Sequence, residues 1–383
     1  MSSGVRSPTR MPVATLALMA ASVFAAITTE MLPVGLLPLI SHDLHTSESS
    51  IGLLVSAYAV VVAVGSVPMA ALIERWPRGA TLCGLLTTYA VSNAIMATTS
   101  SYPVALVARL LGGVAHAGFF AAVFGAAVSI APVARSGRAI AFVGAGNSLA
   151  LTFGVPLGTA LGDAVGWRWA FAACGVVTLG LGIAMAVVVH SQPEPANVRV
   201  LRAVRGRAML VVALIVVLVT LGHFTAYTYV SVLLLHVGVH ARLLSVVLFG
   251  YGAAGIAGLV AAGAIADRRP RAGLVVATVV IIGCLLVIGL APGAASTVAS
   301  VVVWGVAFGA LPTLVQTLAL RAAPNAPDAA PAVVNATFNV GISGGALIGS
   351  RELLVVAPGM LALTGAALAC AALLVQVPRR LFG

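Results

Sequence analysis

Twelve apolar runs, each near the length of a bilayer-crossing helix, follow one another along this chain with mostly short polar breaks. They fall at roughly residues 13–40, 51–73, 80–99, 103–131, 139–162, 167–189, 209–235, 244–266, 273–291, 296–320, 332–350 and 355–376. About 20 apolar residues span the hydrocarbon core as a helix. Within lipid every backbone polar group must find its partner inside the protein, which leaves helices or closed barrels. Runs this long predict helices. With 8% charged and 61% hydrophobic residues, the chain has too few charges to cover a water-facing surface and is too apolar for disorder. The expected fold is an all-α membrane protein with twelve transmembrane helices.

All twenty basic residues are arginine, and the formal charge is +11. The arginines sit in short clusters between apolar runs, so the charge does not point to nucleic acid. If both termini share one side, 16 of the 20 lie on that side. The other side has Arg168, Arg242 and Arg351, alongside Asp43, Glu48, Asp163 and Glu352; only Arg109 falls well inside a run. The excess of arginine marks the cytoplasmic face. The expectation is therefore a multi-pass protein of the bacterial plasma (inner) membrane with both termini cytoplasmic. The first run follows a basic segment without a convincing small-residue cleavage site, and eleven more runs follow, so it reads as an anchor and not a cleaved signal. Cys83, Cys174, Cys284 and Cys370 each stand alone in a span and read as packing residues, not as a disulfide set or metal site.

Residues 190–207 form the only long polar stretch between runs, with six runs before it and six after. The division this predicts is a cytoplasmic tail (1–12), a six-helix bundle (13–189), a cytoplasmic loop (190–208), a second six-helix bundle (209–377) and a short cytoplasmic tail (378–383). Internal repetition supports two related halves. Ala70-Ala71-Leu72-Ile73-Glu74-Arg75-Trp76-Pro77-Arg78 follows the second run, and Gly263-Ala264-Ile265-Ala266-Asp267-Arg268-Arg269-Pro270-Arg271 follows the eighth. Glu74 and Asp267 are 193 residues apart, about half the chain. A carboxylate at a helix end can pair with arginine or a neighbouring helix N-terminus. The set Glu74, Arg75, Arg78, Asp267, Arg268 and Arg271 thus reads as a remakeable latch between elements that rock. The pattern resembles the signature cytoplasmic loop of the major facilitator superfamily. It departs in the first half, where Ala70, Glu74 and Pro77 replace the usual Gly, Asp and Gly.

In the fifth run Gly146, Ala150, Gly154, Gly158 and Gly162 repeat every four residues, giving a face that another helix can approach closely. Pro156 inside that stretch prevents a regular hydrogen-bond ladder. Gly154, Pro156 and Gly158 resemble the antiporter motif of superfamily exporters, which implies export. Arg109, Gly113 and His116 share a face of the fourth run, and R-x-x-x-G resembles the motif of proton-coupled members. Glu30 is the only carboxylate well inside any run. Burial favours its protonated form and a nearby arginine the charged form, so an acid between the two can load and release a proton. His223 and Tyr227 share a face of the seventh run, and His changes charge near neutral pH. The proton-handling set is thus Glu30, Arg109, His116 and His223.

Thr28–Pro38, Ala115–Phe120, His223–Tyr229 and Phe338–Gly349 resemble the bacterial sugar efflux transporters. Those are proton-driven exporters of arabinose-like sugars and thiogalactosides. Chloramphenicol exporters share several of these features and remain the alternative. Tyr58, Asn147, Thr152, Tyr227, Gln316, Asn335, Thr337 and Asn339 could contact a small neutral solute, with Tyr58, Asn147, Tyr227, Gln316, Asn335 and Asn339 as the binding set. Each also reads as an interhelical hydrogen bond. A receptor or membrane enzyme is the reading from another class. The chain has no HExxH or phosphate-loop pattern and no soluble signalling module. The expected partners are a small solute, protons and the bilayer, with no cofactor, metal or nucleic acid, and the chain is expected to act as a monomer.

Overall fold

The computed structural model describes residues 11–73, 76–132, 135–189, 206–323 and 329–376. Among these residues the regular structure is entirely helical. The first half contains α1 (Val13–Asp43), α2 (Glu48–Ile73), α3 (Arg78–Thr98), α4 (Tyr102–Ile130), α5 (Ser136–Leu149), α6 (Val155–Val165) and α7 (Trp167–Val188). The second contains α8 (Arg207–Tyr227), α9 (Val230–His236), α10 (Leu244–Ala266), α11 (Pro270–Leu290), α12 (Ala294–Ala322), α13 (Ala329–Glu352) and α14 (Gly359–Gln376). Eleven stretches are long and apolar enough to cross a bilayer. The remaining span is α13, whose 24 residues include Asn335, Thr337, Asn339 and Ser343. Most bounds lie within a few residues of expectation. The seventh run is a broken helix, α8 then α9. The doubtful division between the last two spans lies after Glu352, before Gly359.

The 193-residue spacing runs through the whole fold. Shifted by 193, the first helix covers 206–236, the extent of α8 plus α9, and the end of α2 falls on the end of α10. Packing repeats as well. The pairs α2–α4, α3–α4, α3–α7, α1–α5 and α1–α7 recur as α10–α12, α11–α12, α11–α14, α8–α13 and α8–α14. Of the helices in the first half, α1 is the most enclosed, with 83% of its core stretch buried against 28% for α7. Outward-facing positions carry Val64, Val176, Leu214 and Leu374, as a lipid-facing surface requires.

The glycine stripe of the fifth span is seated on α1. A Cβ at Gly146 would fall on the Ala20 carbonyl oxygen, one at Gly154 on the Thr28 hydroxyl, and those at Gly158 and Gly162 on Leu32 and Leu36. Every fourth residue of one helix meets every fourth residue of the other. Where Pro156 cannot donate a hydrogen bond, the ladder widens into a π-turn at Ala150–Gly154. Gly146→Ala should lower the melting temperature of the detergent-solubilised protein, at a cost of about 1–3 kcal/mol, because its neighbours are backbone atoms of α1. Gly180→Ala should not, because an added Cβ there meets nothing within 4 Å.

The two halves join at the arginine-poor end. Ser49 Oγ donates to the Ser350 carbonyl (2.7 Å), and Ser56 Oγ to the Ser343 carbonyl (2.7 Å), one rung every seven residues along antiparallel α2 and α13. Ser231 Oγ of α9 donates to the Val34 carbonyl of α1 (2.9 Å). Gly252 of α10 lies against the backbone of Leu151 and Thr152, with no room for a side chain. Arg168 further ties this end of the first half, donating to Asp43 (2.7 Å) and to the Thr99 carbonyl (3.0 Å).

At the arginine-rich end, Glu74 and Arg75 of the expected latch lie outside the described residues. Arg78 crosses Gly125 of α4. Arg271 donates to the Gln376 carbonyl (2.6 Å) and Arg321 to the Asp267 carbonyl (2.6 Å). Backbone carbonyls at helix ends, not the Asp267 carboxylate, receive these arginines, and both contacts stay inside the second half. Arg268 and Asp267 are exposed in the turn between α10 and α11.

Candidate functional site

The site begins with two prolines. Pro33 and Pro38 stand inside α1, and each removes the N–H that would have bonded the carbonyl four residues earlier, at Thr29 and Val34. Such carbonyls in a membrane span must be re-satisfied by neighbouring groups. The Val34 carbonyl takes Ser231 Oγ. The Thr29 carbonyl takes Nη1 of Arg109 (2.8 Å), and the next carbonyl, of Glu30, takes Nη2 (2.8 Å). The guanidinium also lies 4.2 Å over the Tyr58 ring. Arg109 is 1% exposed, and its planar fork serves two carbonyls and one ring face at once.

Glu30 is 3% exposed, and one oxygen of its carboxylate lies 3.8 Å from His116 Nδ1. The same nitrogen is 2.9 Å from the Tyr58 hydroxyl, which in turn donates to the Tyr89 hydroxyl (3.3 Å). Phe120 lies beside the His116 ring at 4.7 Å between centroids. Four helices, α1, α2, α3 and α4, thus place an acid, an imidazole, two phenols and a guanidinium in one buried cluster. Its chemistry is proton exchange: the acid and imidazole can each hold a proton, and the hydroxyls can donate or accept. Sequence reasoning grouped Glu30, Arg109 and His116, and the structure brings them together. Tyr89 was missed, and a lone tyrosine in an apolar run gives no signal of its partner.

Two expected roles sit elsewhere. Tyr58, read as a solute contact, has its hydroxyl engaged by His116 and Tyr89 and is fully buried. His223, grouped with the proton-handling residues, lies in the other half among aromatic rings only: Phe224, Tyr227, Tyr251, Trp304 and Phe308. Tyr227 is 2% exposed and stacks on it at 4.9 Å. Asn147, Gln316 and Asn335 are partly exposed. Asn339 spends its amide N–H on the Asn335 carbonyl one turn back (3.0 Å), leaving its buried Oδ1 without a partner among the described residues. Thr337 likewise bonds its own helix. Among the described residues no group of His, Cys, Asp and Glu could hold a metal.

The sequence profile of the Major Facilitator Superfamily matches residues 18–350. The chain belongs to the major facilitator superfamily. Membership makes it a multi-pass membrane transporter and agrees with the duplicated twelve-helix fold. It is 32% identical over 353 residues to the chloramphenicol resistance protein of Streptomyces lividans, covering 88% of each chain. Among solved structures, this facilitator is similar in fold to a bacterial homolog of the human lysosomal transporter Spinster. The unoccupied inward-facing form gives a TM-score of 0.70 at 14% identity, and the occupied form 0.71 at 13%. Each comparison covers 97% of this chain and 95% of that one.

Proposed function

We propose that this protein is a proton-driven exporter of small uncharged solutes, with chloramphenicol-like aryl amide alcohols ahead of arabinose-like sugars and thiogalactosides. The observation that carries the reading is Glu30, 3% exposed, seated beside Arg109 and 3.8 Å from His116. A carboxylate in such a place is costly and is normally part of an ion or proton pathway. With the arginine-rich end cytoplasmic, the serine rungs and Ser231 close the outer end, and the protein rests facing inward. In the proposed cycle, the halves rock apart at that end and Glu30 takes a proton from outside, which weakens the hold on the solute. The return stroke then delivers the proton inward. The π-turn and glycine face around Gly154, Pro156 and Gly158 form the bearing between α1 and the fifth span.

The solute order rests on the relative named for chloramphenicol resistance. Sugars stay second through the His223–Tyr229 segment. Inverted vesicles carrying the protein, with an imposed pH gradient, test the reading against a panel of chloramphenicol, arabinose, isopropyl thiogalactoside and a nucleoside. Chloramphenicol should accumulate, and collapse of the gradient should abolish its accumulation. Accumulation of no panel solute, or accumulation indifferent to the gradient, sinks the proposal.

A further inference from the structure

The duplication gives the proton cluster a counterpart that does something different. Glu30 and His223 are 193 residues apart, as are Tyr58 and Tyr251, the spacing that relates the helices of the two halves. In the first half the polar atoms at these positions are engaged. In the second half they are not. Among the described residues, both ring nitrogens of His223, the Tyr251 hydroxyl and Trp304 Nε1 are buried without a hydrogen-bond partner. Buried polar side-chain atoms are nearly always paired, and each exception calls for a partner of its own.

These four atoms belong to three rings in mutual contact. The His223 centroid is 4.8 Å from Trp304 and 6.5 Å from Tyr251, which are 6.2 Å from each other. Phe308 and Tyr227 stack against His223 at 3.5 and 4.9 Å. The position 193 residues beyond Arg109 is Val302, so no guanidinium repeats here, and the rings contacting His223 are all aromatic. A charged group would be buried without a counter-ion, which is strongly disfavoured. An uncharged group suits the site: the indole N–H only donates, the phenol donates or accepts, and a neutral imidazole offers one of each. An aromatic lining favours a ligand with a ring of its own, through offset or edge-to-face contact. Gly252, next to Tyr251 in the chain, packs on Leu151 and Thr152 of the other half, so the cluster lies near the seam between the halves.

We infer that the aromatic cluster of His223, Tyr251 and Trp304, packed shut in this structure, parts to form a solute chamber in the second half. It takes an uncharged ligand that combines a flat ring with hydrogen-bonding substituents, as aryl amide alcohols do. This rests on the export reading above and deepens it. The first half holds the proton and the second, on the same duplicated frame, holds the solute.

The test uses the full chain purified in detergent, radiolabelled chloramphenicol and isopropyl thiogalactoside as probes, and the variants Tyr251→Phe and Trp304→Phe. Each variant keeps an aromatic ring and removes an orphaned polar atom. Each should weaken chloramphenicol binding by about tenfold, the loss expected for one buried hydrogen bond. Unliganded Tyr251→Phe should also melt a few degrees above wild type, because a hydroxyl buried without a partner has gone. If both variants bind chloramphenicol with wild-type affinity, the chamber is dry packing and the inference fails while the export reading stands. If only thiogalactoside binding depends on these residues, the chamber stands and the aryl class is overturned. If the wild-type protein binds neither probe and transports no panel solute, the export reading fails and the chamber with it.

Discussion

Glu30→Gln should reduce uphill export to background in vesicles with an imposed pH gradient, while the yield of folded protein stays near wild type. The side chain is nearly isosteric, and its neighbours Arg109, His116 and Tyr58 are hydrogen-bonded to α1 carbonyls and to each other, so the cluster can accommodate a neutral amide. What the amide cannot do is release a proton on one side and regain it on the other. In the proposed cycle the protonated acid also loosens the solute, so solute binding by Glu30→Gln should weaken as export is lost. Asp163→Asn, an exposed acid at the end of the fifth span, should leave gradient-driven export unchanged. Gradient-driven export that survives in Glu30→Gln removes the acid from the mechanism.

Arg109→Ala should cost more stability than any other single substitution in the cluster, on the order of 3–5 kcal/mol, the range for breaking buried charge-assisted contacts. Two α1 carbonyls lose their donors together, and Tyr58 loses the cation over its ring. Lysine cannot reach both carbonyls and the ring face, so Arg109→Lys should recover only part of the loss. The proline supplies a sharper check. Pro33→Ala returns an N–H to α1, which gives the Thr29 carbonyl a partner within the helix. In the Arg109→Ala background, Pro33→Ala should therefore raise the melting temperature, and by more than it does in wild type. Additive effects of the two substitutions would mean that the proline and the arginine do not share that carbonyl.

Much of the scaffold could be read from the chain because the bilayer imposes length, apolarity and arginine placement on every span. The break of the seventh span at Thr228–Tyr229 could not. No proline or polar run marks it, and the tertiary contacts of Tyr229, such as its hydroxyl on the Ala346 carbonyl, accompany the bend. Glu30, Arg109 and His116 could be grouped because a titratable residue deep in a span stands out against leucine and alanine. Tyr58 was assigned to the solute because a tyrosine pattern does not say which of two neighbours its hydroxyl will choose. Two signals were present and unused. Proline positions name the carbonyls that need outside donors, which points to Thr29 and Val34. The 193-residue spacing also carries Tyr58 onto Tyr251 and Glu30 onto His223, which makes the histidine the counterpart of the acid and not its partner.

The seam at the arginine-poor end bears on how the halves part. Its fastening runs largely through the main chain: hydroxyls of Ser49, Ser56 and Ser231 rest on main-chain carbonyls of the opposite half, and Ser49 also meets the Ser350 hydroxyl (2.9 Å). Pulling the halves apart strands donors and acceptors together, including the Val34 carbonyl that its own helix cannot serve. In a greasy cleft that separation is prohibitive unless solvent fills the gap as it forms. Parting of the halves at this end therefore requires water to enter as the three serine contacts separate.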